Sequence, residues 1–270
     1  MIPLLKFVRF IRFPMFLVPA GVFLAGMVLS IRGWPVGGSQ WLAIAAFICL
    51  AGGTFSLNGY YDRFIDQRKG SSFAVNYPRT ALGIALGWYV LGFIFTIVSS
   101  EDIFLIYILF VIGTVLYNRW LANIFIIKNF TAALLSASLV LAGGWAVGVV
   151  ARPHWLWSVI IFGGISAMEI IKDMEDVKAD QGFRVTIPMK LALPKVQWLV
   201  LALILLAVTV SLSLVPSTIL FYAFWALTLL SFLRGWYVLP LVRDPGRARL
   251  ARRWIYAGLW FGLLMMITSL

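Results

Sequence analysis

Trp41-Leu-Ala-Ile-Ala-Ala-Phe-Ile-Cys49-Leu-Ala-Gly-Gly-Thr-Phe-Ser-Leu-Asn58-Gly-Tyr-Tyr-Asp62-Arg-Phe-Ile-Asp66 is an apolar run of membrane length that closes on a segment carrying an amide and two acids. Asn58, Asp62 and Asp66 are spaced by four. On a helix they advance about 40° per step and form one polar stripe at the end of the span. An Asp at mid-bilayer depth costs roughly 2.5 to 3.5 kcal/mol on insertion scales, so acids kept beside a span point to a use. A second such segment, Glu169-Ile-Ile-Lys172-Asp173-Met-Glu175-Asp176-Val-Lys178-Ala-Asp180, follows another apolar run. The two segments hold seven of the ten carboxylates in the 270 residues.

The rest of the chain fits this reading. It is 62% hydrophobic and 12% charged, with mean hydropathy +0.98, far from the quarter-charged mix of a soluble domain. One Cys, Cys49, excludes an internal disulfide, and one His, His154, excludes a His-rich metal site and disfavours a catalytic triad. Carboxylates, amides, hydroxyls and cations are left to carry chemistry.

Stretches of about 20 apolar residues, enough to span a bilayer, fall at 14–31, 41–58, 81–98, 103–121, 130–150, 155–172, 196–214, 217–239 and 254–270. The break between the seventh and eighth rests on Val215-Pro216-Ser217. The pattern predicts an all-α polytopic membrane protein of nine transmembrane helices, folded as one membrane-embedded domain over 1–270. On this map every Lys and Arg except Arg32 and Arg152 falls on one side, beginning with Lys6, Arg9 and Arg12. By the positive-inside rule that side is cytoplasmic, so the amino terminus and both acid segments are expected there. The formal net charge of +12 is spread over these loops as topology signals and anionic-lipid contacts, which disfavours a nucleic-acid partner. The first apolar run lacks a small-residue cleavage site and is expected to be retained as a span.

Like charges at helical spacing repel, and a divalent cation removes the conflict. Mg²⁺ suits the residue types, since it takes one or two carboxylates together with substrate phosphate and water. Two acid stripes facing each other could hold two metals around a diphosphate, with Arg63, Arg68, Lys69, Arg119, Lys128 and Lys172 completing the phosphate pocket. The plainer alternative pairs Lys172 with Asp176 along the helix and leaves the other acids solvated. Asn58, Asp62 and Asp66 align with Lys172, Asp176 and Asp180, which hints at an internal duplication with a shared cavity.

These residues resemble the signatures of the UbiA superfamily of intramembrane prenyltransferases: Asn-x-x-x-Asp-x-x-x-Asp ending the second helix, and Lys-Asp-x-Glu-Asp-x-x-x-Asp ending the sixth. Arg12-Phe-Pro14, Leu116-Tyr117-Asn118, Asn129 and Thr186-Ile-Pro188 are weaker echoes. The resemblance implies a helical bundle around a central cavity and Mg²⁺-dependent transfer of a prenyl group from a polyprenyl diphosphate, such as geranylgeranyl diphosphate, to a lipophilic acceptor. It implies that Asn58, Asp62 and Asp66 bind one Mg²⁺ and Asp176 and Asp180 another. Asp173 would support them, Lys172 would touch diphosphate, and Tyr117 would lie near the allylic cation or the diphosphate. An allylic cation needs aromatic faces, and the chain has 12 Trp, 9 Tyr and 21 Phe. Among these, Tyr60, Tyr61 and Tyr117 lie beside the motifs.

The chain departs from the pattern at Gly59, where the family often has Asp. It departs again in the loop Arg68-Lys-Gly-Ser-Ser-Phe-Ala-Val-Asn-Tyr-Pro78-Arg79 and at Leu121-Ala122. These departures spare the metal motifs and bear on the acceptor. The Lys-Asp-x-Glu-Asp run and the Tyr-Asn pair are similar to archaeal enzymes that alkylate a geranylgeranylglycerol phosphate; quinone or haem precursors are the alternative. A cation-coupled transporter is the alternative of another class, disfavoured because no ionisable residue lies mid-span to continue a path. A non-catalytic lipid-binding relative is disfavoured by the retained ligand residues.

Overall fold

Apolar runs of this length satisfy their backbone polar groups in lipid by becoming helices, and helices dominate the structure, a computed structural model that describes residues 7, 10, 17–35, 37–214, 218–239 and 244–268. Nine long helices occur among the described residues: α1 (Leu17–Ile31), α2 (Gly38–Tyr61), α5 (Pro78–Ser99), α6 (Glu101–Arg119), α7 (Ile127–Trp145), α8 (Arg152–Asp180), α10 (Leu193–Ser211), α11 (Ile219–Tyr237) and α12 (Pro245–Ile267). Short helices α3 (Arg63–Arg68), α4 (Phe73–Asn76) and α9 (Ile187–Lys190) fill the connections. Each long helix overlies one predicted stretch. Seven of them are long and apolar enough to cross a membrane; α1 is short over its described residues, and α12 opens with Arg247, Arg249, Arg252 and Arg253. Lys6, Arg9, Arg12 with the Phe-Pro14 echo, Val215-Pro216-Ser217 and Arg243 lie outside the described residues.

Helix α8 organises the bundle. Its amino-terminal half, through Trp157 and Ile160, joins a core built mainly by α1, α2, α5, α6 and α7 around Phe23, Phe47 and Tyr107, with Ala207, Phe221, Met265 and Met266 of α10, α11 and α12 completing it. Its carboxy-terminal half, through Ala167, Ile170, Ile171 and Met174, joins a second core with α10, α11 and α12. Contacts of α12 with both α1 and α8 close the ring. Helices α1 and α7 cross so closely that a Cβ on Gly26 would run into the Val140 carbonyl, and one on Gly143 into that of Phe23. Only hydrogen fits there.

Outward faces are apolar, as lipid requires. On α5, Leu86, Val90, Ile94 and Ile97 form an exposed stripe at helical spacing. Several polar groups within the bundle are paired. Tyr89 Oη lies 3.1 Å from Thr114 Oγ1, and Tyr107 donates to the Tyr89 carbonyl at 2.9 Å. Buried His154 caps the start of α8: its Nδ1 accepts from the Ala151 N–H at 3.1 Å, and its Nε2 lies 3.0 Å from the Gly26 carbonyl. It is a packing histidine.

Candidate active site

Helix α2 breaks at Asp62, but the hydrogen bonding runs through: Asp62 N–H donates to Asn58 O and Asp66 N–H to Asp62 O, both at 2.8 Å. The stripe therefore survives the break. Helix α3 then ends in a turn at Gly70, whose φ of +86° is the left-handed region that favours glycine. Helix α8, at 29 residues, is about 43 Å long, well beyond a hydrocarbon core of about 30 Å. Its last turns carry the second motif past the apolar zone while keeping it helical.

Both motifs meet at the polar end of one cavity of about 510 Å³, a volume suited to a lipid-sized ligand. Asn58, Asp62, Asp66 and Asp176 line it, with Tyr117, Lys128, Glu169 and Lys172. Its apolar body continues between the helices past Val22, Phe47, Leu50, Phe110, Leu139 and Leu263.

Cations tie the motifs together. Lys69 donates to Asp176 Oδ2 at 2.8 Å and lies 3.9 Å from Asp66 Oδ1. Arg184 reaches Asp180 Oδ1 at 2.9 Å and Asp62 Oδ2 at 3.4 Å. The middle acid of each motif is thus linked to the last acid of the other, as expected if the two stripes face each other across a local two-fold. Burial works against the charge of Arg184, but Asp62 and Asp180 outweigh it and hold the guanidinium above its ordinary pKa.

Several predicted site residues lie elsewhere. Asp173 is buried behind the cavity wall, where it accepts from Lys128 and, at 2.8 Å, from Asn129 Nδ2. Lys128, read as a diphosphate contact, is therefore paired with the acid read as a metal support. Asp180 is fully buried against Arg184 and does not line the cavity. Arg63 folds back on α2, donating to Tyr60 O at 2.9 Å and stacking over Tyr60 and Phe64. Arg119 is exposed, lying 3.4 Å from Tyr61 Oη and over Trp120. Arg68 donates to Gln181 O at 2.7 Å and Ala179 O at 3.3 Å, clamping α3 to the last carbonyls of α8. These three arginines brace the site from outside the cavity. Lys172 sits 3.2 Å from Glu169 in the preceding turn.

Arg184 was legible only as a topology charge. The signal was the spacing Asp180-Gln-Gly182-Phe-Arg184: Gly182 takes φ +87°, and Asp180 O accepts the N–H groups of Phe183 and Arg184, turning the arginine back onto the motif.

The charges lining the cavity decide what it can hold. Asp62, Asp66, Glu169, Glu175 and Asp176 face Lys69, Lys128, Lys172, Arg184 and Arg252, five acids against five cations. A multiply charged diphosphate would enter a pocket with no formal excess of positive charge unless cations came with it. Among the described residues no cluster of three acids forms a ready cage. That donor set fits Mg²⁺, which keeps water and substrate oxygens and takes few protein ligands. Lys69 and Arg184 occupy positions between the two acid stripes where positive charge is favoured.

The sequence profile of the UbiA prenyltransferase family matches residues 20–263. The digeranylgeranylglyceryl phosphate synthase of Methanococcus vannielii is 30% identical over 216 residues, covering 76% of this chain and 75% of that protein. Among solved structures, the fold is similar to an apo UbiA homologue from Aeropyrum pernix K1, with TM-score 0.78 and 17% identity over 94% of this chain and 97% of that one. It is also similar to a UbiA homologue from Archaeoglobus fulgidus bound to GPP and Mg²⁺, with TM-score 0.70 and 15% identity over 97% of this chain and 99% of that one.

Proposed function

Because the chain belongs to the UbiA prenyltransferase family, we propose that this integral membrane prenyltransferase moves a geranylgeranyl group from geranylgeranyl diphosphate onto geranylgeranylglyceryl phosphate. The product would carry two geranylgeranyl chains on glyceryl phosphate, as in the name of the M. vannielii relative. The observation that carries this reading is the charge-balanced polar end of a cavity whose body is apolar. A diphosphate fits the first with added cations, and its prenyl tail fits the second.

In the reaction the bond between the allylic carbon and the diphosphate oxygen breaks, and the electron pair leaves with the diphosphate. The free glycerol hydroxyl attacks the allylic cation, forms the ether, and releases its proton. Bound Mg²⁺, which we assign as two ions, would offset the charge that builds on the departing diphosphate. Asn58, Asp62 and Asp66 would hold one ion, and Asp176 the other. Asp180 holds Arg184, and Asp173 holds Lys128, so both act by positioning. Lys172 and Lys69 present ammonium groups to the diphosphate, and Tyr117 offers a π face to the allylic cation. The apolar walls keep water from that cation, and hydrolysis of the donor is suppressed.

The chain works as one membrane-embedded unit of nine spans in the cytoplasmic membrane. The Lys and Arg bias supports a cytoplasmic amino terminus and a site that opens toward the cytoplasm. The test of the acceptor is product analysis by mass spectrometry after incubating purified protein with geranylgeranyl diphosphate, Mg²⁺ and either geranylgeranylglyceryl phosphate or an aromatic quinone precursor. Ether product from the glyceryl phosphate alone is expected. Product from the aromatic acceptor alone would overturn the assignment.

A further inference from the structure

Glu175 belongs to the second acid motif, yet the functional reading above gives it no part. Its carboxylate is turned to α12, accepting from Arg252 Nε at 2.7 Å and from Arg249 Nε at 2.9 Å. Glu175 and Arg252 line the cavity together with Tyr256, whose ring centre lies 5.7 Å from the Arg252 Cζ. Arg249, about half exposed, stands outside Arg252 toward solvent.

A purely structural clip between α8 and α12 needs one arginine. Two guanidiniums on one carboxylate leave an excess positive charge at the cavity edge. Each engages Glu175 through Nε, and a guanidinium has four further N–H donors in a fixed plane, a geometry suited to a phosphate. The transfer involves two phosphate groups with different needs. The donor's diphosphate departs and is served by the acid motifs on α2, α3 and α8. The acceptor's phosphate stays on the product, so it calls for fixed charge that does not leave with the diphosphate.

We propose that Arg249 and Arg252, oriented by Glu175, bind the phosphate monoester of the acceptor lipid and make the enzyme selective for a phosphorylated acceptor. This rests on the glyceryl phosphate reading above. It assigns α12 the acceptor subsite and leaves donor binding to the other wall.

The test compares wild type with Arg249→Gln/Arg252→Gln and Arg249→Lys/Arg252→Lys in detergent, using geranylgeranylglyceryl phosphate and its unphosphorylated analogue geranylgeranylglycerol. In the Gln variant the KM for the phosphorylated acceptor rises roughly 10- to 100-fold, the size expected for lost charge-assisted hydrogen bonds. That rise exceeds by at least about tenfold any change in the donor KM or in the rate with geranylgeranylglycerol, and the Lys variant recovers part of the loss. Equal losses with both acceptors, or a rise in donor KM as large as that for the phosphorylated acceptor, would overturn the subsite and leave the transfer reading standing. Binding of radiolabelled geranylgeranylglyceryl phosphate separates the converse case. Arginine-dependent binding without transfer keeps the subsite and sinks the acceptor assignment, whereas no binding by wild type overturns both.

Discussion

Lys69 and Asp176 stand 107 residues apart in the chain and meet at 2.8 Å, joining the first acid motif to the second. The ammonium lies between two carboxylates of different helices, since Asp66 is 3.9 Å away on its other side. Under the proposed function, an entering divalent ion would compete with it.

That competition has a measurable sign. With Lys69→Ala the acids repel one another, so the metal-free protein loses thermal stability, and added Mg²⁺ restores more of it than in wild type. Ligand binding to the folded state stabilises by mass action. The half-saturating Mg²⁺ concentration in a thermal-shift titration is expected to fall by a few-fold. A higher Mg²⁺ requirement would show that Lys69 assists the metal instead of standing in for it.

The pair formed by Lys128 and Asp173 makes a contrasting prediction. Both side chains are buried, and Asn129 completes the carboxylate's hydrogen bonding. Removing one partner leaves an uncompensated buried charge, at a cost of about 3 to 5 kcal/mol. Asp173→Asn and Lys128→Met are each expected to unfold at lower temperature in detergent, whereas the double change Lys128→Met/Asp173→Leu regains most of the loss. Circular-dichroism melts of the four proteins check it.

The crossing of α1 and α7 tolerates no side chain at Gly143, where a Cβ would meet backbone. Gly143→Ala is expected to cost about 1 to 3 kcal/mol through forced separation of the helices. The nearby Gly148, with φ +76° but open space around it, would lose stability through backbone conformation alone. Thermal unfolding of Gly143→Ala beside Gly38→Ala, a position with no neighbour in reach, isolates the packing effect.

The helices were legible because apolar runs of span length, punctuated by basic loops, leave the backbone little choice. The acid stripes were legible because spacings of three and four survive on any helix. What each acid touches was not. Asp173 and Asp176 are three positions apart on α8, yet the first turns to Lys128 on α7 and the second to Lys69 beyond α3. A rotation of about 60° separates those directions, and only packing says what lies along each. Arg68 and Lys69 are neighbours in sequence, but about 100° of helix rotation sends one to the end of α8 and the other into the cavity. Arg184 depends on the turn at Gly182, and Glu175 on where α12 docks; neither is written in local spacing.

Under the proposed function, both acid motifs serve one metal-assisted diphosphate site. The most direct test of this is the rate of prenyl transfer from radiolabelled geranylgeranyl diphosphate by wild type, Asp62→Asn and Asp176→Asn, each with Mg²⁺ or EDTA. Product formation by wild type only with Mg²⁺, and a loss of at least about 100-fold in each variant with unfolding temperature retained, is the predicted result. Full activity in EDTA, or full activity in either folded variant, would contradict it.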